Sequence, residues 1–126
     1  MTEPSLPRTL QLTPNFNLAE FLHGNDPYPT PAELDSLYRL ANRLQVVRDL
    51  LGKPVLINSG LRTPGHNADV GGAPQSQHLL GAAADIVVPG VSAADIQGLL
   101  QNWSGGMGCY TTYTHLDIRP MRARWR

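Results

Sequence analysis

Two short stretches of the 126-residue chain carry side chains that bind metals and move protons. The segment SQHLLGAAAD, residues 76–85, places His78 and Asp85 on either side of a glycine and three alanines. The segment YTHLDIR, residues 113–119, puts His115 and Asp117 on one face if it forms a strand. Two histidines and a carboxylate are a common catalytic zinc set that leaves a fourth position for water. The alternative is a turn and buried strands whose polar ends face water, and spacing alone leaves both interpretations open.

One long helix is the clearest of the elements that must position these side chains. Residues 30–33, Thr-Pro-Ala-Glu, form a capping box with proline at the first helical position. Apolar residues then recur at three- and four-residue steps as far as Leu51, which is the pattern of one buried helical face. Gly52 and Pro54 follow as stop signals. The pattern predicts a helix over residues 31–51.

The other predicted elements are short. Strands are predicted at 9–12, 55–59 and 84–88, followed by a hairpin of 109–111 and 113–119; helices are predicted at 17–21 and after Ser92, the latter carrying Ile96, Leu99, Leu100 and Trp103. Residues 60–77 read as one long loop, a feature that is usually functional in a small domain. The order predicts a single α+β domain over residues 1–126, with a small, largely antiparallel sheet and helices packed on one side.

Composition excludes several classes of function. Ten basic and ten acidic residues balance, which argues against nucleic acid or an anionic membrane as a partner. The four arginines of residues 119–126 are expected to form a short solvated terminus. Cys109 is the single cysteine, so an internal disulfide is excluded. The sequence contains neither a secretory apolar region nor a run approaching the roughly 20 apolar residues of a membrane span.

Three blocks of the sequence resemble one known family. The pattern Ser76-x-His78-x-x-Gly81-x-Ala83-x-Asp85 is similar, at every fixed position, to the SxHxxGxAxD motif of the zinc D-Ala-D-Ala carboxypeptidase family. The stretches SGLRTPGHNADVGG and GGMGCYTTYTHLDIRP resemble two further blocks of that family, in the same order. Short members from phage lysins and bacterial wall hydrolases are the most similar by pattern. The resemblance implies a hedgehog/D-Ala-D-Ala peptidase-like fold, a Zn2+ cofactor and the stem peptide of peptidoglycan as substrate.

The resemblance also implies roles for individual residues. His78, Asp85 and His115 are the implied zinc ligands, and Ser76 is expected to steady the ligand loop. Arg62 resembles the family arginine that lies over the substrate, where it would bind a carboxylate or steady the developing oxyanion. The alternative for Arg62 is a loop arginine that pairs with backbone carbonyls.

The general base is where the sequence departs from the family pattern. Many members carry Asp or Glu three residues before the last ligand, whereas this chain has Thr112 there. Asp117 is the nearest carboxylate, and it is either the base or a partner that orients a ligand histidine. His66 and Asp69 in the long loop are further base candidates. Tyr113 is a candidate donor to the tetrahedral intermediate, or else a packed strand tyrosine.

Two hypotheses of function follow. The first is an active zinc peptidase that cuts D-Ala-D-Ala or a related bond in peptidoglycan, as a carboxypeptidase or an endopeptidase. The second is a zinc-containing binding module of the same fold that recognises wall peptides or a protein partner. We expect a monomer, made in the cytoplasm without a signal peptide, that reaches the wall by phage-type release or a secretion system. His23 is expected to be an ordinary surface residue.

Overall fold

The computed structural model of the protein describes residues 7–126. Its strands are β1 (Gln11–Thr13), β2 (Phe16–Asn17), β3 (Leu56–Ser59), β4 (Ala83–Val87), β5 (Gly106–Cys109), β6 (Thr114–Asp117) and β7 (Ala123–Trp125). The α-helices are α1 (Pro31–Leu51), α2 (Pro64–Asp69) and α3 (Ala93–Leu99), and short 3-10 helices cover Leu18–Phe21 and Gln77–Leu80.

The main sheet has five strands in the order β3-β4-β6-β5-β7. Its first three neighbouring pairs are antiparallel, and only β5 and β7 run parallel. Strands β1 and β2 form a separate antiparallel pair. The predicted α+β class with a largely antiparallel sheet is therefore confirmed.

Helix α1 occupies the predicted range, and its ends follow the expected chemistry. The Thr30 hydroxyl accepts from the Glu33 amide at 3.2 Å, and the Glu33 carboxylate accepts from the Thr30 amide at 2.9 Å. At the other end Gly52 adopts the left-handed conformation, with φ of 64°, that stops a helix. The short helix at 18–21 has the same reciprocal cap, formed by Asn17 and Glu20.

The hydrophobic core lies between the helices and one face of the main sheet. Helix α1 contributes Leu37, Leu40, Ala41, Leu44 and Val47, and helix α3 contributes Ile96. They share one cluster with Ala84 and Ile86 of β4 and Leu116 of β6. Because side chains alternate along a strand, Asp85 and His115 lie on the opposite face. The two longer helices thus leave the polar face of the sheet free for a site.

Three predicted elements differ from the structure. The first strand of the hairpin, predicted at 109–111, is β5 at Gly106–Cys109, and residues 110–113 connect it to β6. The predicted loop 60–77 contains helix α2. Thr63 and Pro64 begin this helix as Thr30 and Pro31 begin α1. The helix was not predicted because six residues are too few to show a helical repeat of apolar side chains. The predicted second helix ends at Leu99, so Trp103 lies beyond it, where its indole Nε1 donates to the backbone oxygen of Asp117 at 2.9 Å.

The expected solvated terminus is also wrong. Residues 123–125 form β7 and pair with residues 106–108 of β5. The edge of β5 offers unpaired backbone groups, and the tail satisfies them although its sequence is rich in arginine. No helix within residues 7–126 has the length and hydropathy that crossing a bilayer requires.

Candidate metal centre

Three buried side chains converge on the polar face of the sheet. One ligand atom from each of His78, Asp85 and His115 lies within 4.8 Å of the others. Asp85 of β4 stands directly opposite His115 of β6 in the antiparallel register. His78 reaches the same point from the 3-10 helix that precedes β4. The structure therefore brings together all three residues that the sequence predicted as a metal site.

The turn that carries His78 is fixed at both ends. The Ser76 hydroxyl accepts from the His78 amide at 3.1 Å, and Gly81 ends the turn in the left-handed conformation, with φ of 70°. His78 Nδ1 lies 2.7 Å from the carbonyl oxygen of Gly60. Since a carbonyl oxygen only accepts, Nδ1 carries the hydrogen and Nε2 is left with a lone pair. His78 Nε2 lies 3.2 Å from Asp85 Oδ1.

His115 is oriented by a carboxylate behind it. Its Nε2 lies 2.8 Å from Asp117 Oδ2, and its Nδ1 lies 3.0 Å from Asp85 Oδ1. Asp117 is fully buried and also accepts from the Gly106 amide at 2.9 Å. A side chain on Gly106 would overlap the Asp117 carboxylate, so glycine is required for this approach. A carboxylate holding the far nitrogen of a histidine is the usual support of a metal ligand.

The centre attracts positive charge. His78 Nδ1 and His115 Nε2 are bound to oxygen acceptors, so the other ring nitrogen of each histidine faces Asp85 Oδ1. That nitrogen presents a lone pair when the imidazole is neutral and donates a hydrogen bond when it is protonated. Burial alone would raise the pKa of Asp85, but hydrogen bonds with the two histidines outweigh it and hold that pKa below its ordinary value. Burial lowers the pKa of His115, and the bonds to Asp117 and Asp85 reverse this and raise it. Three facing acceptors are stable together only with a proton or a cation between them, so the donor set fits a metal ion.

Arg62 lies beside the centre and is held by side chains. Its Nε donates to Ser59 Oγ at 3.0 Å, its Nη1 to Asn67 Oδ1 at 3.2 Å, and its Nη2 to Asp85 Oδ2 at 3.2 Å. The alternative interpretation, pairing with backbone carbonyls, is wrong because side-chain oxygens occupy these positions. Asn67, which lies in the second resembling block but had no predicted role, is buried, and its Nδ2 donates to the Ala73 oxygen at 2.9 Å.

A cleft of about 610 Å³ opens over the three convergent residues, and Tyr113 forms part of its wall. The Tyr113 ring stacks on Tyr110, with centroids 4.5 Å apart. Burial, and then the negative charge of Asp85, raise the pKa of Tyr113. Its phenol therefore remains a hydrogen-bond donor at neutral pH, in the wall of a cleft that contains the candidate centre.

Two further residues of the cleft wall, Trp125 and Arg119, had no predicted role. The Trp125 ring lies 5.1 Å from the His115 ring, and its Nε1 donates to the Tyr110 hydroxyl at 3.0 Å. Arg119 forms an ion pair with Asp117 at 2.7 Å. Strand β7 places Trp125 in the wall of the cleft. In the sequence, the alternation of Ala123 and Trp125 with arginines is the pattern that could have indicated this strand.

The further base candidates, His66 and Asp69, lie outside the cleft. Asp69 is exposed at the end of α2, and Thr112, which replaces the acid of many family members, is exposed in the turn before β6. His66 stacks on His23, with ring centroids 3.9 Å apart, and His23 is exposed as expected. Among the residues described, Asp85 is the only carboxylate that lines the cleft.

Comparison with known proteins supports the geometry. The family model described as Peptidase M15 matches residues 14–117, which is more than half of the chain. The zinc D-Ala-D-Ala carboxypeptidase of Streptomyces albus G is 44% identical over 45 residues. That match covers 35% of this chain and 18% of the relative, so it spans less than a fifth of the relative's length.

Proposed function

The chain belongs to the Peptidase M15 family, and from this premise we propose that it is a zinc-dependent peptidase that hydrolyses a bond in the stem peptide of peptidoglycan. The observation that carries the proposal is the convergence of His78, Asp85 and His115 beneath an open cleft. The relative named as a zinc D-Ala-D-Ala carboxypeptidase supports both the metal and the class of substrate.

The three convergent residues would hold the zinc ion through His78 Nε2, the Asp85 carboxylate and His115 Nδ1. Zinc bound there supplies Lewis acidity toward the scissile carbonyl and lowers the pKa of a water molecule toward neutrality. The protein's part is to hold one ring nitrogen of each histidine against an oxygen acceptor, so that the other ring nitrogen is aimed at the metal. The Gly60 carbonyl does this for His78, and the Asp117 carboxylate does it for His115.

Asp117 is better suited to positioning than to proton transfer. Its Oδ1 accepts from Gly106 and Arg119, and its Oδ2 faces His115 and Arg119, so both oxygens are occupied. Burial would raise the pKa of Asp117, but hydrogen bonds from His115 and Arg119 outweigh it and hold the pKa well below its usual range. A carboxylate that is fully buried and so weakly basic does not take a proton from water in the cleft.

Arg62 and Tyr113 are the proposed stabilisers of developing negative charge. Both line the cleft, and the terminal nitrogens of Arg62 each retain one N–H beyond the bonds already described. Donors of this kind act on the oxyanion of the tetrahedral intermediate. Removing one such donor lowers kcat by roughly 100- to 1000-fold in well-studied hydrolases.

A second candidate function rests on one observation. The described part of the cleft contains no carboxylate besides Asp85, and a peptidase of this kind needs a group that accepts a proton from water. A zinc-stabilised module that binds wall peptides without cutting them would have the same cleft. The experiment must therefore separate binding from turnover.

The test combines metal content, peptide binding and hydrolysis. Zinc would be measured by mass spectrometry, and cleavage of a synthetic stem peptide by chromatography, for the wild type, His78→Ala, Arg62→Ala and Tyr113→Phe. We expect one zinc per wild-type chain, loss of zinc and turnover in His78→Ala, and a roughly 100-fold lower kcat with zinc retained in the other two.

The matched control is Asp35→Asn, which changes an exposed aspartate paired only with Arg39 on the surface of α1. It should retain zinc and turnover. A wild-type protein that binds zinc and the stem peptide but cleaves none of it would establish the binding module. A wild-type protein without zinc would overturn both functions.

A further inference from the structure

We propose that Arg119 binds the C-terminal carboxylate of the substrate, and so makes the enzyme a carboxypeptidase rather than an endopeptidase. This inference rests on the proposed peptidase function and assigns a specificity residue to the same cleft.

One edge of the Arg119 guanidinium is locked in place. Nε donates to Asp117 Oδ1 at 2.9 Å, and Nη2 donates to Asp117 Oδ2 at 2.7 Å, which is a bidentate pair. The backbone amide of Arg119 also donates to Asp117 Oδ1 at 3.2 Å. The side chain therefore has a fixed orientation before any ligand arrives, and binding would cost little conformational entropy.

The other edge of the same guanidinium is available. Within residues 7–126, Nη1 of Arg119 has no hydrogen-bond partner, whereas Nε and Nη2 both have one. A guanidinium presents five N–H groups in a rigid fork, so it can hold one carboxylate on each of two edges. Asp117 occupies the first edge, and the second is free for a carboxylate from a ligand.

The position of Arg119 suits a substrate bound at the metal centre. Arg119 lines the cleft with 32% of its side chain exposed. Its guanidinium carbon lies 4.9 Å from the centroid of the Trp125 ring, and that ring also neighbours His115, with centroids 5.1 Å apart. Trp125 thus packs against both Arg119 and His115, which is one of the proposed zinc ligands. Arg119 and the three proposed metal ligands therefore line one cleft.

Arg62, the arginine singled out by the sequence, is less suited to this task. Each of its guanidinium nitrogens already has a protein partner, and only 12% of its side chain is exposed. Arg119 is the cleft arginine with both a free nitrogen and solvent access.

The two arginines of the cleft wall are balanced in charge, since Arg62 pairs with Asp85 and Arg119 pairs with Asp117. The preference for an anionic group therefore comes from the unpartnered Nη1 of Arg119 and not from a surplus of charge. A free C-terminal carboxylate can accept from that nitrogen in a charge-assisted hydrogen bond, whereas an internal peptide bond offers only a neutral carbonyl oxygen. The inference therefore predicts discrimination between the two kinds of substrate.

The experiment uses two stem peptides of identical sequence, one ending in a free carboxylate and the other in an amide. We expect the wild type to prefer the carboxylate form by about 10- to 100-fold in kcat/KM, the range for a charge-assisted hydrogen bond. Arg119→Gln should abolish most of this preference. Because Arg119 also supports Asp117, the substitution will lower turnover of both peptides, and the ratio between them is the informative quantity.

The control variant is Arg122→Gln, an arginine of the same tail that does not line the cleft and whose Nη2 donates to the Gln101 oxygen. It should keep the wild-type ratio. A wild type that cuts both peptides equally, or an Arg119→Gln variant with an unchanged ratio, would overturn the inference.

A binding measurement separates this inference from the proposed function. Calorimetric titration with N-acetyl-D-alanine and with its amide would be run on the zinc-loaded wild type and on Arg119→Gln. Tighter binding of the acid by the wild type alone supports the role of Arg119, even if no stem peptide is cleaved. Equal binding of acid and amide by the wild type contradicts it, whatever the catalytic result.

Discussion

Each histidine of the candidate centre has one ring nitrogen bound to a protein oxygen, and this fixes the direction of the other nitrogen. The Gly60 carbonyl holds His78, and the Asp117 carboxylate holds His115. Gly60 has no room for a side chain, since a Cβ there would lie 2.6 Å from the Phe21 carbonyl oxygen. The geometry of the ligands is therefore set by backbone packing as much as by the ligands themselves.

Asp117→Asn tests the positioning role at the scale of a single residue. An amide in place of the carboxylate weakens the bond to His115 Nε2 and removes the charge that Arg119 pairs with. We expect zinc affinity to fall by about 10- to 100-fold, as for other partners of metal-bound histidines. Competition with a chromophoric chelator measures this affinity directly.

Asp35→Asn is the matched control for Asp117→Asn, because it changes the same functional group at an exposed site and should leave zinc affinity unchanged. If Asp117→Asn keeps its zinc affinity and loses only turnover, the carboxylate acts as a base instead. That result would reverse the assignment made from its burial and its low pKa.

At the scale of elements, the cap of α1 fixes the longest helix of the core. Thr30→Ala removes the hydroxyl that accepts from the Glu33 amide and leaves that amide without its protein partner. We expect the free energy of unfolding to fall by about 1 kcal/mol. Urea unfolding of the zinc-loaded protein measures it, with Thr111→Ala, an exposed turn residue, as the control. If the free energy of unfolding of Thr30→Ala equals that of the wild type, packing of α1 against the core, and not the cap, fixes where the helix begins.

Alanine substitutions at two glycines, one in α3 and one in β5, should change stability in opposite directions. Gly98 lies in α3, where an added Cβ would extend into open space, so Gly98→Ala should stabilise the protein by roughly 0.5–1 kcal/mol. Gly106 of β5 has the Asp117 carboxylate where its Cβ would stand, so Gly106→Ala should destabilise the protein and weaken zinc binding. Thermal unfolding and zinc titration together test both. If both substitutions changed the unfolding temperature and the zinc affinity equally, the close packing of Gly106 against Asp117 would be contradicted.

At the scale of the whole molecule, the sequence predicted what is encoded locally. The cap and stop residues defined α1, and strand alternation placed His115 and Asp117 on one face. Strand β7 was not predicted, because the short alternation of Ala123 and Trp125 with arginines becomes a strand only beside the open edge of β5. The burial of Asp117 depends on contacts with residues far along the chain, which no local pattern contains.

Only part of the candidate site was predicted, because local sequence patterns do not contain contacts between distant segments. The three convergent residues belong to motifs and were found, whereas Trp125 and Asn67 enter the site through tertiary packing. Asp117 is the carboxylate nearest the last ligand in the sequence, and in the structure it points inward and supports that ligand instead of facing the cleft. Sequence motifs therefore located the centre, and the structure was needed to assign the supporting roles.

Zinc should stabilise the whole fold, because its proposed ligands come from three elements that are separated along the chain. Their convergence requires the 3-10 helix at 77–80, β4 and β6 to be in place, so the folded state binds zinc far better than the unfolded chain. At a free zinc concentration of 100 times Kd, we expect about 2.7 kcal/mol of stabilisation and a rise in Tm of about 10 °C. Scanning calorimetry with and without zinc measures the shift. His78→Ala should show none of it, and Asp35→Asn should show all of it. An equal shift in His78→Ala would mean that zinc binds elsewhere, and the stacked pair of His23 and His66 would be the first place to look.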